Sequence, residues 1–97
     1  MHALDVETGE VAWYTPAPDV CAELRGCMRA FSSAPTSIDG AVFTGGLDGR
    51  IRAYASTDGA LLWEFDAARD FDTVNGVLAK GGAFDGPGPV VDDGMLF

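Results

Sequence analysis

The chain says one phrase twice, fifty residues apart, and that repetition restricts what it can fold into. Ala3-Leu-Asp-Val-Glu-Thr-Gly9-Glu-Val-Ala-Trp13 has the form A-x-D-x-x-x-G-x-x-x-W. Ala53-Tyr-Ala-Ser-Thr-Asp-Gly59-Ala-Leu-Leu-Trp63 returns it, with Ala55 in the place of Asp5. A second echo runs at an offset of fifty-four: Pro35, Asp39, Gly40, Val42 and Phe43 match Pro89, Asp93, Gly94, Leu96 and Phe97. A period near fifty marks a repeat architecture, in which each unit stacks on neighbours to bury its faces. The chain is therefore expected to begin and end inside a repeat, as a piece of a larger protein.

Ninety-seven residues suffice for one small domain, burying roughly 65% of its unfolded surface. A net charge of −9 argues against a nucleic-acid backbone or an anionic membrane surface as partner. No apolar run reaches the roughly 18 residues that span a bilayer, and no signal peptide opens the chain. Met1-His-Ala-Leu-Asp is already strand-like, so Met1 reads as an internal methionine or a misplaced start, and the missing signal leaves the compartment open. Cys21 and Cys27 are spaced C-x5-C, which fits no zinc, c-type haem or thioredoxin pattern. A loop disulfide in an oxidising compartment is the preferred reading, with two free thiols as the alternative.

The middle of the chain parses into four strands. Thr36 to Ile38 turns at Asp39-Gly40 into Ala41 to Gly45, and Asp48-Gly49 leads into Arg50 to Ala55. Ser56 to Gly59 then turns into Ala60 to Asp66. Asp-Gly between alternating runs is a strong hairpin signal, because a type I′ turn needs positive φ at both central residues. Four antiparallel strands per unit, no helical period and a repeat near fifty predict an all-β fold: a partial β-propeller. Residues 35–66 would form one complete four-stranded antiparallel blade, 1–15 the end of the preceding blade and 88–97 the start of the next. Alone, such a segment leaves apolar faces and strand edges uncovered, so the rest of the propeller is required.

Residues 16–34 and 67–88 are long connecting loops, and structureless loops beyond about 12–15 residues are often functional. In an up-and-down blade the fourth-to-first connection emerges at the same end as the second-to-third turn. Residues 16–34, 44–49 and 67–88 should thus share one face. The first loop is expected to hold a helical turn from Asp19, as N-cap, to Gly26.

These residues resemble a known family. The Ala-to-Trp phrase is similar to the tryptophan-docking motif of the pyrroloquinoline quinone (PQQ) dehydrogenases, as is Val42-Phe-Thr-Gly-Gly-Leu-Asp-Gly-Arg-Ile-Arg-Ala-Tyr54 with Leu-Trp-Glu-Phe-Asp66. The stretch Asp72-Thr-Val-Asn-Gly-Val through Lys80-Gly-Gly to Pro89 most resembles polyvinyl alcohol dehydrogenase-like quinoproteins. The resemblance implies a quinoprotein alcohol dehydrogenase-like propeller. In that family PQQ and Ca²⁺ sit near the axis, an aspartate acts as base and the quinone accepts the alcohol's hydride. It implies an alcohol substrate, such as a polymeric alcohol, a cytochrome c acceptor, and a periplasmic or secreted location. The family's metal-binding carboxylate and amide and its adjacent-cysteine ring find no match here. No catalytic base or metal ligand is assigned to this chain.

In the docking motif, Ala keeps the strand thin, Gly9 and Gly59 supply the turn, and Trp13 and Trp63 present flat surfaces that pack blade on blade. Cofactor stacking is the lesser reading for these tryptophans. Asp5 reads as a turn or inter-blade residue, and His2 as an unremarkable terminal histidine. Because PQQ is a tricarboxylate, cations in the loops matter: Arg25 and Arg29 lie in one, Arg69 and Lys80 in the other. Lys80 is the sole lysine, and Gly81-Gly82 beside it lets backbone approach a ligand. Lys80, Asn75 and Asp85 are the candidate cofactor or substrate contacts; the plainer readings are a solvated lysine and two pre-glycine turn residues. Arg50 and Arg52 are expected to pair with acids such as Glu64.

Two functions follow. The first is a segment of a PQQ-dependent dehydrogenase oxidising alcohol groups, inactive as an isolated segment because a propeller site draws on several blades. The alternative is a non-enzymatic scaffold resembling the outer-membrane assembly lipoprotein, whose blades display loops for protein binding.

Overall fold

A computed structural model describes residues 1–22 and 25–97. Among them the chain is all-β and forms no helix. β1 (His2–Leu4) pairs antiparallel with β2 (Val11–Tyr14). The central sheet has the order β3 (Thr36–Ile38), β4 (Ala41–Gly45), β5 (Arg50–Ala55) and β6 (Leu61–Asp66), every neighbour antiparallel. β7 (Asp70–Phe71) pairs with β8 (Ala79–Lys80), and β9 (Val91–Asp92) with β10 (Met95–Leu96). The arrangement is open, consistent with part of a propeller. The helical turn expected from Asp19 to Gly26 includes residues 23 and 24, which lie outside the described residues.

Both copies of the phrase adopt one backbone pattern. Ala3 faces Trp13 across β1–β2, and Ala53 faces Trp63 across β5–β6, each pairing followed by a one-residue register shift. Gly9 N donates to Asp5 O at 2.8 Å and Gly59 N to Ala55 O at 2.9 Å. Asp5 N and Ala55 N donate to Glu10 O and Ala60 O, both at 2.8 Å. Gly9 and Gly59 take left-handed φ values of 75° and 73°, which an L side chain resists. Asp5 adds a cap that Ala55 lacks: its Oδ1 accepts Glu7 N and Thr8 N at 2.9 and 2.8 Å. Those backbone bonds hold the Asp5 carboxyl below its usual range.

The Asp-Gly turns divide by geometry. Asp93-Gly94 has positive φ at both residues, 45° and 76°, as a type I′ turn requires. At Asp39-Gly40 and Asp48-Gly49 only the glycine is left-handed. The second of these belongs to a four-residue connection, where one left-handed residue suffices: Gly46 N donates to Arg50 O at 2.9 Å and Gly49 N to Gly46 O at 3.1 Å.

Trp13 docks on the next hairpin. Its indole N–H donates to Ser56 O at 2.9 Å, and Thr15 Oγ1 donates to Gly59 O at 2.7 Å. A Cβ on Gly59 would stand 2.5 Å from Trp13 Cε3, so only glycine admits the ring at that depth. Trp63, in the matching position, stacks on Phe65 at 6.3 Å between centroids and is 43% exposed.

The buried centre is unusually polar. Arg52, Tyr54 and Thr44 are its largest fully buried side chains, joined by Asp48, Ser33, Ala53 and Cys21. Arg52 and Tyr54 share one face of β5, and Phe31 from the first loop meets the Tyr54 ring edge-on at 6.1 Å. Leu61, Leu62 and Val11 are exposed, the uncovered apolar surface expected of a sheet that stacks on others.

Candidate functional site

Strand alternation places the Asp39-Gly40 turn and the Ser56–Gly59 turn at one end of the central sheet and the Gly46–Gly49 turn at the other. Both long loops fold onto that second turn. From the first loop, Met28 N donates to Leu47 O at 3.5 Å, Leu47 N donates to Ala30 O at 2.9 Å, and Phe31 forms a bridge with Gly46. From the second, Ala67 N donates to Gly49 O at 2.9 Å and Phe84 N to Gly46 O at 3.0 Å. The loops also join each other: Ala34 N donates to Gly86 O at 3.1 Å, and the Ser32 hydroxyl donates to Asp85 Oδ1. These bonds bring residues 28–34, 46–49 and 67–86 to one end of the sheet.

The second loop is not structureless. β7 and β8 pair Asp70 with Lys80 and Phe71 with Ala79. Gly81 N closes the hairpin base on Arg69 O at 3.0 Å, and a Cβ on Gly81 would stand only 1.7 Å from Ala67 O. Backbone lies directly on backbone there. The Arg69 guanidinium covers the Phe71 and Phe65 rings at 4.5 and 5.3 Å, which turns that cation toward aromatic surface.

Between the loops lies a cleft of about 260 Å³, lined by Arg25, Gly26, Cys27, Leu47, Ala68 and Lys80 to Ala83. It holds two cations and no carboxylate among its lining residues. Cys21 and Cys27 form a disulfide, with Sγ atoms 2.09 Å apart, so the bridge borders the cleft through Cys27. A separate apolar cavity of about 240 Å³ is lined by Ser33, Gly45, Ile51, Phe84, Pro89 and Phe97 among others.

Of the three candidate contacts, only Lys80 lines the cationic cleft. Asn75 sits in an exposed turn, its Oδ1 2.8 Å from Thr73 Oγ1 and accepting Val77 N at 3.4 Å. Asp85 is taken up by Ser32, tying one loop to the other. His2 stacks on Tyr14, 4.5 Å between ring centroids. Arg25 was visible in the sequence only as a loop cation; the structure adds that it lines the same cleft as Lys80.

Beneath the Gly46–Gly49 turn lies a buried ionic network. Arg52 forks onto Asp48, Nη1 to Oδ1 at 3.2 Å and Nη2 to Oδ2 at 2.5 Å, while its Nε donates to Glu64 Oε2 at 2.6 Å. Arg50 reaches Glu64 at 2.5 Å and Asp66 at 3.4 Å. The expected arginine–Glu64 pairing is present, but Asp48 is more than a turn residue. Burial works against the Arg52 charge, and its hydrogen bonds to Asp48 and Glu64 outweigh that and raise its pKa. Burial likewise favours a protonated Glu64, yet the bonds from Arg52 and Arg50 leave its carboxyl below the usual range. Burial pushes the Tyr54 phenol up, and its hydroxyl has no hydrogen-bond partner among the described residues.

No family model matches the chain. Along its whole length the chain is 40% identical to a polyvinyl alcohol dehydrogenase of Pseudomonas sp., covering 16% of that protein. It is also 40% identical to a polyvinyl alcohol dehydrogenase of Sphingopyxis sp. strain 113P3, again over the whole chain and 15% of the relative. Over 86% of the chain it is 34% identical to a 1-butanol dehydrogenase (cytochrome c) of Thauera butanivorans, of which it covers 14%. The chain thus spans about one-sixth of the length of the curated relatives it matches. All three names denote dehydrogenases, which does not favour the scaffold reading.

Proposed function

We propose, from the chain's place in the quinoprotein alcohol dehydrogenase-like repeat family, that it forms part of an enzyme oxidising alcohol groups. The observation that carries this reading is the overall identity of 40% to two polyvinyl alcohol dehydrogenases, in alignments that span the whole chain. A hydroxylated polymer is the proposed substrate, with smaller alcohols such as 1-butanol as the simpler case.

PQQ is the proposed cofactor, and the cleft's donor set suits it. Two cations and no carboxylate among the lining residues favour a ligand that carries carboxylates. When bound, PQQ would supply the redox chemistry by accepting the alcohol's hydride. The residues of this chain bind and orient. Lys80 and Arg25 would pair with carboxylate oxygens, and Gly82, whose Cβ position is open, leaves the backbone approachable from the cleft. Asn75 and Asp85 would act through the turn and the loop tie that they form. Trp13, Trp63, Gly9 and Gly59 would be structural. Among the described residues no three His, Cys, Asp or Glu side chains gather as a metal site. The ligands of Ca²⁺ would come from other parts of the propeller, and no step is assigned through it.

A c-type cytochrome is the proposed electron acceptor, by analogy with the Thauera butanivorans relative's name. The Cys21–Cys27 bridge fits the proposed periplasmic or secreted location, where disulfides persist. No helix of the described residues is long and apolar enough to cross a membrane. One complete blade would not assemble a site drawn from several, so the 97-residue chain alone should show no turnover.

The test uses the protein expressed from its complete reading frame, loaded with PQQ and Ca²⁺, with dye reduction followed on 1-butanol and polyvinyl alcohol. PQQ-dependent reduction supports the proposal. A folded protein that neither binds PQQ nor reduces dye with any alcohol overturns it.

A further inference from the structure

We infer that the buried Asp48–Arg52 pair is a positioning device, fixing the turn from which both walls of the Lys80 cleft hang. The inference concerns the loop-bearing face, and its relevance to catalysis rests on the proposed function.

The pair is difficult to explain by stability alone. Both side chains are almost wholly buried, Arg52 at 1% and Asp48 at 3% exposure. Desolvating two charges costs about as much as their attraction returns, and apolar replacements of buried pairs are often as stable. Geometry gives the pair a specific task. Asp48 Oδ1 accepts Arg50 N at 3.1 Å as well as Arg52 Nη1, and Oδ2 takes Arg52 Nη2, so the carboxylate is drawn under the turn. Glu64 fixes the far side of the guanidinium from β6. The turn closes onto this pair with no room to spare: a Cβ on Gly46 would stand 2.5 Å from Asp48 Oδ1 and 3.3 Å from Arg52 Nη1.

With Asp48 turned inward, the Leu47 N–H and the carbonyls of Gly46, Leu47 and Gly49 face the loops. Leu47 takes Met28 and Ala30 on one side; Gly46 and Gly49 take Phe84 and Ala67 on the other. Leu47 lines the cleft between the wall bearing Arg25 and Cys27 and the wall bearing Lys80. Gly49 seats the second wall tightly, its Cβ position 2.4 Å from Ala68 Cβ and 3.2 Å from Gly82 O. A shift of the turn therefore disturbs the seating of both walls of the cleft. The sequence carries the device as G-G-L-D-G-R-x-R, in which the Asp and the second Arg are four residues apart.

The test separates position from stability. The double variant Asp48→Asn/Arg52→Met keeps an acceptor for Arg50 N and most of the stem volume while removing both charges. Amide exchange of the complete protein should then quicken about tenfold or more at Leu47, Ala67 and Phe84, with Ala55 and Gly59 at the opposite end unchanged. Arg52→Lys, which keeps the charge but cannot fork, should give the same pattern more weakly, and serves if the double variant does not fold. Equal acceleration at both ends, or none at the three loop-facing amides, overturns the inference. In the complete protein the double variant should weaken PQQ binding at least about tenfold at a temperature where it is folded. Wild-type affinity there would likewise count against the inference. Failure of the dehydrogenase reading looks different: unaltered protein would bind no PQQ, while the exchange pattern would stand.

Discussion

Replacing Gly59 by alanine tests the docking of Trp13 with a built-in control. At Gly59 the new methyl meets three atoms: Thr15 Oγ1 and Trp13 Cε3 at 2.5 Å, and Trp13 Cδ2 at 2.9 Å. Ring and hydroxyl must each retreat by about 1 Å to reach ordinary contact, at a cost in dispersion. That retreat strains the indole bond to Ser56 O and the Thr15 bond to Gly59 O, each worth roughly 0.5–1.5 kcal/mol. The left-handed backbone adds roughly 1–2 kcal/mol for any residue with a Cβ. Gly40 has a φ of 81° and open space around its Cβ position, so Gly40→Ala carries the backbone cost alone. Gly59→Ala should therefore destabilise by about 1–3 kcal/mol more than Gly40→Ala. Urea unfolding followed by tryptophan fluorescence, in a Trp63→Phe background so that Trp13 reports alone, measures the difference. Gly59→Ala should also shift the native Trp13 emission to the red. Equal costs for the two variants with an unmoved emission would refute the docking argument.

Further outcomes follow from the same geometry. Arg52→Leu leaves the Asp48 carboxylate buried and unpaired, and should cost about 3–5 kcal/mol in chemical denaturation. The double variant above should recover much of that. Glu64 has a folded-state pKa below its ordinary value of 4.5. Its contribution to stability is therefore complete above about that pH and is lost as pH falls through the lower folded value. Glu64→Gln should flatten the acid limb of the stability profile and leave neutral-pH curvature unchanged. Reducing the Cys21–Cys27 bridge opens a loop closed over a separation of 6 residues, and should lower stability by about 2 kcal/mol in the loop-entropy model, read as a drop in the urea midpoint. Lys80→Ala in the complete protein should weaken PQQ binding without lowering the melting temperature; unchanged affinity and turnover would return Lys80 to the solvated surface.

The sheet was legible because its signals are local. Period-two alternation over Arg50–Ala55 and the Asp-Gly pairs place the strands without any knowledge of what they pack against. The predicted start of the last central strand, Ala60, moves only to Leu61. Turn type was less legible: the dipeptide is the same at Asp39-Gly40 and Asp93-Gly94, yet only the second is left-handed at both residues. The β7–β8 hairpin escaped notice because two-residue strands carry no measurable alternation. The gathering of the loops was readable from topology alone. What gathers within it was not, since Arg25 and Lys80 line one cleft from positions fifty-five apart in the chain. Asp48 had a visible local role as a turn former, and that masked its second role as the buried partner of Arg52.

The proposed site lies at the end of the sheet where the Gly46–Gly49 turn meets both loops. Hydrogen exchange of the complete protein with and without PQQ tests this most directly, since Asp39-Gly40 and Ser56–Gly59 mark the opposite end of the same sheet. PQQ should slow exchange in residues 25–31, 46–49 and 80–85 and leave the amides of Gly40, Ala55 and Gly59 unchanged. Protection at the Gly40 and Gly59 end instead, or none in the three loop segments from a protein that binds PQQ, would contradict it.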